Sequence, residues 1–377
     1  MKTTKSRSRS IAATFLSILL TVVLAATGCA PKVIPVEGPQ ISAMMLTNVT
    51  SSAYDTAPFM WNVRQNTLQS TGTPVLHANN TNGEARLCWG SGSPILAVQY
   101  WSHKDKLPLI TATSKALNLL VPPVGMQYSG SFLARWYVRK ENVFVALGVQ
   151  GGTVATITEQ SPASSSTAKT LSVPVPSGLQ VDFLYGSGSI ANGFVLFEAR
   201  EDKPPFMKPF SFWLLRISNG ATSWVQCGDA SAFGGGFYFG EAPSFTRVGS
   251  LIYVVRAHSK IGCIDTAAVS PTATLPDTLS ALLAQLQNTG PTNAEGPIIP
   301  QLASDSNTLI VEYPDVSWNS VYYAVDASGT ILGSLRADRT SIVSFDAKGQ
   351  QGTTLKTPGS PGYISLPSID LSDSPVS

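Results

Sequence analysis

Four strand groups open at Phe132, Phe194, Leu251 and Leu309, at separations of 62, 57 and 58 residues. Each holds several short β-rich runs joined by turns. A period of this length, with several strands inside it, predicts small sheets repeated around an axis. The expected fold is therefore all-β, a β-propeller with one short inserted helix. Dividing the length by the period gives about six blades, and irregular early groups would raise the count to seven or eight. A pair of β-sandwiches is the alternative, which accounts for the strands but not for the spacing. Composition agrees with many strands and turns: charged residues are only 13% of the chain, with 31 glycines and 26 prolines.

The hairpin signals sharpen after Asn82-Gly83, a strong turn dipeptide. Phe132–Val138 and Val143–Leu147 flank the polar turn Arg139–Asn142, and Phe212–Ile217 leads through Ser218-Asn219-Gly220 to Trp224. From Asp277 to Gln287 the period changes. Leu279, Leu282, Leu283 and Leu286 fall at helical spacing after Pro276-Asp277, which predicts one amphipathic helix with its leucine face on the sheets. The last strands turn at Asp326–Gly329 and Asp346–Gly349, and residues 358–377, rich in Pro and Ser, read as a flexible tail.

The N-terminus carries Lys2, Lys5, Arg7 and Arg9, an apolar run from Ile11 to Ala26, and Thr27-Gly28-Cys29. A spanning helix needs about 20 apolar residues, and this run is shorter and interrupted by Ser17 and Thr21. The stretch resembles a bacterial lipoprotein signal, which implies that residues 1–28 are removed and that Cys29 carries lipid. Ala26 stands where that pattern usually has Leu, so a plain secretory signal and a retained anchor are the other readings. Ala30 follows the cysteine, not the Asp that holds many such proteins in the inner membrane, which implies an outer-membrane address in a two-membrane cell. Residues 29–40 are rich in proline and read as a tether, leaving 41–357 as the propeller-like domain. Loss of the first 28 residues removes four positive charges and no acids, so a net charge of +2 becomes −2, and no basic footprint for nucleic acid remains.

Two segments resemble the repeat of quinoprotein-type propellers, in which a strand ending in Ala-x-Asp precedes a turn, a Gly and, four residues on, a Trp. Val321–Gly329 keeps the first part, with Gly333 at the Trp position; Leu214–Gly220 keeps the Gly-to-Trp spacing through Trp224, with Ile217 in place of Asp. In that family the Trp packs between blades. The catalytic branch uses a quinone and calcium, and several members carry a vicinal Cys-Cys pair, which is absent here. The non-catalytic branch includes outer-membrane lipoproteins that scaffold membrane-protein assembly, which suits Cys29 and the tether.

The chemistry-bearing residues are sparse. His77, His103 and His258 stand singly, without metal-ligand spacing, so neither a metal nor a cofactor site is read. No nucleophile elbow, Walker loop or dinucleotide fingerprint is present; Gly90–Ser93 and Gly186–Ser189 read as loops. Glu198, Glu241 and Glu312 are the carboxylates that a glycan hydrolase would draw on, since it needs only two at about 5–10 Å. Phe233, Phe237, Tyr238, Phe239 and Glu241 form a Gly-rich aromatic loop that either binds a ligand or plugs the gap between blades. The remaining tryptophans, Trp318 among them, read mostly as packing. Cys227 and Cys263, in consecutive strand groups, are the expected disulfide, which leaves Cys88 over. The combined expectation is a non-catalytic, lipid-anchored envelope protein that binds or scaffolds a protein or a polysaccharide. A glycan-active hydrolase or lyase is the alternative.

Overall fold

The run Phe194-Val195-Leu196-Phe197 does not alternate, and all four side chains are buried. A strand that is apolar on both faces needs a sheet on each side of it, and this requirement organises the molecule. The computed structural model describes residues 39–47, 53–70, 75–78, 83–90, 93–100, 109–113, 116–120, 134–138, 141–150, 153–161, 167–201, 211–229, 244–256, 260–291, 298, 300–304, 308–338, 340–356, 363–365 and 369–370.

Among the described residues there are six sheets, following one another in chain order. Sheet A holds β1 (Gln40–Thr47), β2 (Ala53–Asn62), β3 (Thr67–Ser70) and β4 (Val75–Ala78). Sheet B holds β5 (Gly83–Gly90), β6 (Ser93–Tyr100), β7 (Leu109–Thr113) and β8 (Ala116–Leu120). Sheet C is β9 (Ala134–Val138), β10 (Val143–Gln150), β11 (Val154–Gln160) and β12 (Lys169–Pro174). Sheet D is β13 (Leu179–Gly188), β14 (Asn192–Glu201), β15 (Ser211–Ser218) and β16 (Ala221–Asp229). Sheet E is β17 (Ser244–Val248), β18 (Leu251–Arg256), β19 (Lys260–Asp265) and the two-residue β20 (Ala273–Thr274). The helix α1 (Asp277–Thr289) follows, and then sheet F: β21 (Gln301–Ser304), β22 (Leu309–Pro314), β23 (Ser320–Val325), β24 (Ile331–Ala337), β25 (Ser341–Asp346) and β26 (Gln351–Lys356). Two short strands are the last described elements: β27 (Tyr363–Ser365) pairs with β1, and β28 (Ile369–Asp370) runs parallel to β5.

Neighbouring sheets share cores. Val145 and Ile157 of sheet C meet Val195, Phe197 and Leu215 of sheet D. On the other face of sheet D, Leu196 and Leu214 meet Ile252, Val254 and Ile264 of sheet E. Sheets E and F pack with α1 between them, whose four leucines are buried as the helical spacing predicts. Phe59 and Trp61 of sheet A close against Ile310, Leu335 and Ile342 of sheet F, so the last sheet meets the first. The first strands of neighbouring sheets also approach one another, β9 with β13 and β17 with β21. The protein is thus an all-β propeller, with one helix among the described residues, rather than a pair of sandwiches.

The ring is fastened twice at its seam. Outside, the β25–β26 hairpin grips the β2–β3 turn: Asn66 donates through Nδ2 to Gln350 O (2.9 Å), and Asn66 O accepts from Ser344 Oγ (3.0 Å). Inside, β27 lies along β1, with Met45 opposite Ile364. The segment read as a flexible tail therefore includes two strands of the fold. β28, on sheet B, reaches β17 of sheet E on the far side of the ring.

Cys227 and Cys263 are free thiols, so the expected disulfide is not formed. Cys227 is buried in the core between sheets D and E, and burial pushes its thiol up to about 11. Cys263 pairs in register with Thr274 of β20, whose neighbour Ala273 lies next to Gly228 of β16. Cys227 thus packs in the D–E core and Cys263 against the E–F core, on the other face of sheet E.

Candidate functional site

Of the three candidate carboxylates, Glu241 lies outside the described residues, as do Cys29 and the aromatic loop residues Phe233, Phe237, Tyr238 and Phe239. Glu198 is buried on β14 of sheet D, and Glu312 stands on β22 of sheet F, with sheet E between the two sheets. They do not form the close pair that glycoside hydrolysis requires. Glu312 faces Tyr322 across the β22–β23 ladder. Burial raises its carboxyl above the usual carboxylate range, against the opposing effect of hydrogen bonds from the Ser320 and Tyr322 hydroxyls. Burial, and then the charge of Glu312, pushes the Tyr322 hydroxyl well up. That hydroxyl also reaches Ile364 O on β27 (3.4 Å), so the pair ties sheet F to sheet A. A carboxyl raised above its usual range is of the kind suited to general-acid work; here it is part of the seam.

A second polar cluster surrounds the turn between β13 and β14. Gly186, Ser187 and Gly188, which the sequence suggests as loop, form the end of β13. Trp136 Nε1 donates to Gly188 O (2.7 Å), and its ring lies 2.8 Å from where a Cβ at position 186 would stand. Glu159 of sheet C accepts from Ile190 N (3.1 Å). From the other side, Arg247 of sheet E donates through Nη1 to Ser187 Oγ (3.0 Å) and stacks 5.3 Å from the centre of the Phe194 ring. On sheet F's side of β17, Ser304 Oγ bonds both Thr246 Oγ1 (2.8 Å) and Arg247 O (2.6 Å). These buried polar groups join three consecutive junctions. Burying a charge is tolerated when it is paired or hydrogen-bonded: Glu159 has Lys169 of its own sheet (3.9 Å) and Ile190 N of the next, and Arg247 has Ser187 Oγ and the Phe194 ring of sheet D and the carbonyl of Gly249.

The tryptophans divide by role. Trp224, at the position where the quinoprotein-like repeat has its Trp, donates through Nε1 to Pro174 O of sheet C (2.9 Å), and its ring centre is 5.2 Å from that of Phe197. At Gly333 the corresponding space is filled from sheet A: a Cβ there would lie 3.1 Å from Val63 and 3.6 Å from the Trp61 ring. Trp318 differs. It is 60% exposed in the turn between β22 and β23, beside Val316 at 70%.

That turn is held from within. Asp315 Oδ1 accepts from Ser317 N (2.8 Å) and Asn319 N (3.0 Å), Asn319 Nδ2 donates to Oδ2 (3.1 Å), and Arg336 Nε pairs with Oδ2 at 2.9 Å. Trp318 N donates to Asp315 O (2.8 Å). Burial alone would raise the Asp315 carboxyl; the bonds from Asn319 and Ser317 and the Arg336 charge outweigh it and hold the carboxyl below its usual range. The residues around it, Pro314, Asp315, Ser317 and Asn319, are turn formers. That context is the signal that separates Trp318 from the packing tryptophans.

Among the described residues, no group of three His, Cys, Asp or Glu side chains could hold a metal ion, and no helix is long and apolar enough to cross a membrane. No family model matches the sequence, and no curated protein does. Solved structures that resemble the chain include cobalt-substituted ACO of Synechocystis (10% identical, 87% of this chain and 91% of that one, TM-score 0.42). They also include the WD40 domain of SCAP from fission yeast (10% identical, 90% and 93%, TM-score 0.34) and a gluconolactonase of Xanthomonas campestris (12% identical, 87% and 90%, TM-score 0.34).

Proposed function

We propose that the protein is a non-catalytic, lipid-anchored binding module of the cell envelope. Cys29 carries the lipid, residues 29–40 form the tether, and the propeller is presented to a protein or polysaccharide partner. The observation that carries this reading is the use made of the buried polar side chains: Glu159 and Arg247 bond the β13–β14 turn from the sheets on either side of it, and Glu312 bonds Tyr322, whose hydroxyl reaches β27, so each is spent on holding sheets together. The attachment also suits a load. β1 pairs on both edges, with β2 and β27, and Pro39 O accepts from Val63 N (3.0 Å), so the tether ends in a strand that both neighbours hold.

Replacing Cys29 by Ala tests the anchor. Fatty-acid label and membrane fractionation are expected to be lost together, and a variant that stays labelled and membrane-bound would refute the reading. A glycan hydrolase is the second reading, favoured by the raised Glu312 carboxyl alone. It requires a second carboxyl near Glu312.

A further inference from the structure

We propose that the Asp315–Asn319 turn is a stacking platform for a neutral glycan, with Trp318 as the ring on which a sugar lies. The proposal rests on the binding-module reading and names its ligand. Trp318 has φ +63°, the left-handed region that a bulky side chain rarely adopts. Strain of this kind persists only where the surroundings over-determine the backbone, and it gathers at functional positions. Here the surroundings are the bonds to Asp315. They set the backbone of Trp318, whose side chain is exposed, before any ligand arrives, which lowers the ordering cost of binding.

Area and charge select the ligand. At 60% exposure a tryptophan offers roughly 150 Å² of a possible 250 Å². With Val316 beside it the patch is still far below the roughly 800 Å² that each partner gives to a stable protein interface. It matches one or two sugar rings. The charges under the tip, Asp315 and Arg336, are paired with each other, so nothing there calls for an anionic ligand. The exposed Ser317 hydroxyl, next in sequence to Trp318, supplies a further donor.

The test is calorimetric titration of the purified full chain, in detergent, with cellopentaose, laminaripentaose and chitopentaose, and with an oligogalacturonate as the charged control. At least one neutral oligosaccharide should bind and the charged one should not. Trp318→Phe should retain binding. Trp318→Gly, whose backbone accepts the turn without strain, should bind at least about tenfold more weakly, as truncation of an anchoring aromatic does. Its thermal midpoint should be unchanged or higher, which separates loss of the platform from loss of the fold. Equal binding by Trp318→Gly and wild type overturns the proposal. So does the absence of binding to every neutral oligosaccharide, including the case in which Trp318 instead drives co-sedimentation with phosphatidylcholine vesicles. None of these outcomes depends on Cys29, so failure here and failure of the anchored reading remain distinguishable.

Discussion

The contact between Trp136 and Gly186 is a direct test of how sheets C and D dock. Every atom that a Cβ at position 186 would meet within 3.2 Å belongs to the Trp136 ring, at 2.8, 2.8 and 3.2 Å. The backbone there is not left-handed, so the glycine is required by space alone. Gly186→Ala should therefore cost about 1–3 kcal/mol, the usual penalty for overpacking. Trp136→Leu removes the obstructing ring and the bond from Nε1 to Gly188 O, and should cost about 2–4 kcal/mol, somewhat under a full truncation. In that background Gly186→Ala meets no ring. It should be neutral or stabilising by about 0.5 kcal/mol, since alanine loses less backbone freedom than glycine in a strand. The coupling across the double-mutant cycle is then roughly 1–3.5 kcal/mol, above the scatter expected of independent sites. Urea unfolding of the four proteins at constant m measures it. Additive effects within about 0.5 kcal/mol would show that the two residues do not share one docking surface, and the account of the C–D junction would be wrong.

Two further predictions follow from the seam and its carboxyl. A stop after Lys356 removes β27 and β28, exposing the face of sheet A that Ile364 covers and depriving Tyr322 of its carbonyl partner. Burial of one isoleucine contributes about 1.5–3 kcal/mol and each ladder bond about 1 kcal/mol, so a loss of about 3–6 kcal/mol is expected in urea unfolding; an unchanged midpoint would mean that the C-terminal strands do not close the ring. Glu312 and the turn aspartates should give pH dependences of opposite sign. The folded Glu312 carboxyl lies above its usual 4.5, so the fold binds its proton more tightly than the unfolded chain does, and stability is lost as pH rises through that folded value. Asp315, Asp326 and Asp338 are held below 3.8, so their contribution is present above that pH and is lost as pH falls through their folded values. The midpoint of Glu312→Gln relative to wild type should therefore rise between pH 4 and pH 7, and a difference that is flat or falls over that interval refutes the assignment.

What was legible in the sequence follows from how each strand is buried. The groups opening at Phe194, Leu251 and Leu309 were visible because β14, β18 and β22 carry apolar runs buried on both faces. These are the second strands of their sheets. The first strands, β13, β17 and β21, precede them and carry no such run, because Ser187, Ser244, Thr246, Arg247 and Ser304 spend their side chains on bonds between sheets and break the apolar pattern. The group opening at Phe132 is out of phase with the others, since that residue precedes β9, a first strand. The C-terminal strands were missed for a different reason. Tyr363–Ser365 is too short to show a period, and only the need to close a ring gives it a partner.

The carboxylates and the tryptophans show why a site is harder to read than a fold. Glu198 and Glu312 look equivalent along the chain, each in the second strand of its sheet, yet sheet E separates their sheets. Strand order determines whether two such residues meet, and no local pattern carries that information. Trp61, Trp136 and Trp224 face a neighbouring sheet, whereas Trp318 stands in a turn whose Asp315 and Asn319 bond to each other and leave the ring outside. A tryptophan flanked by turn formers is therefore a different object from one within a strand. The distinction lies in which groups satisfy the backbone around it, and at Trp318 they are the side chains of the turn itself.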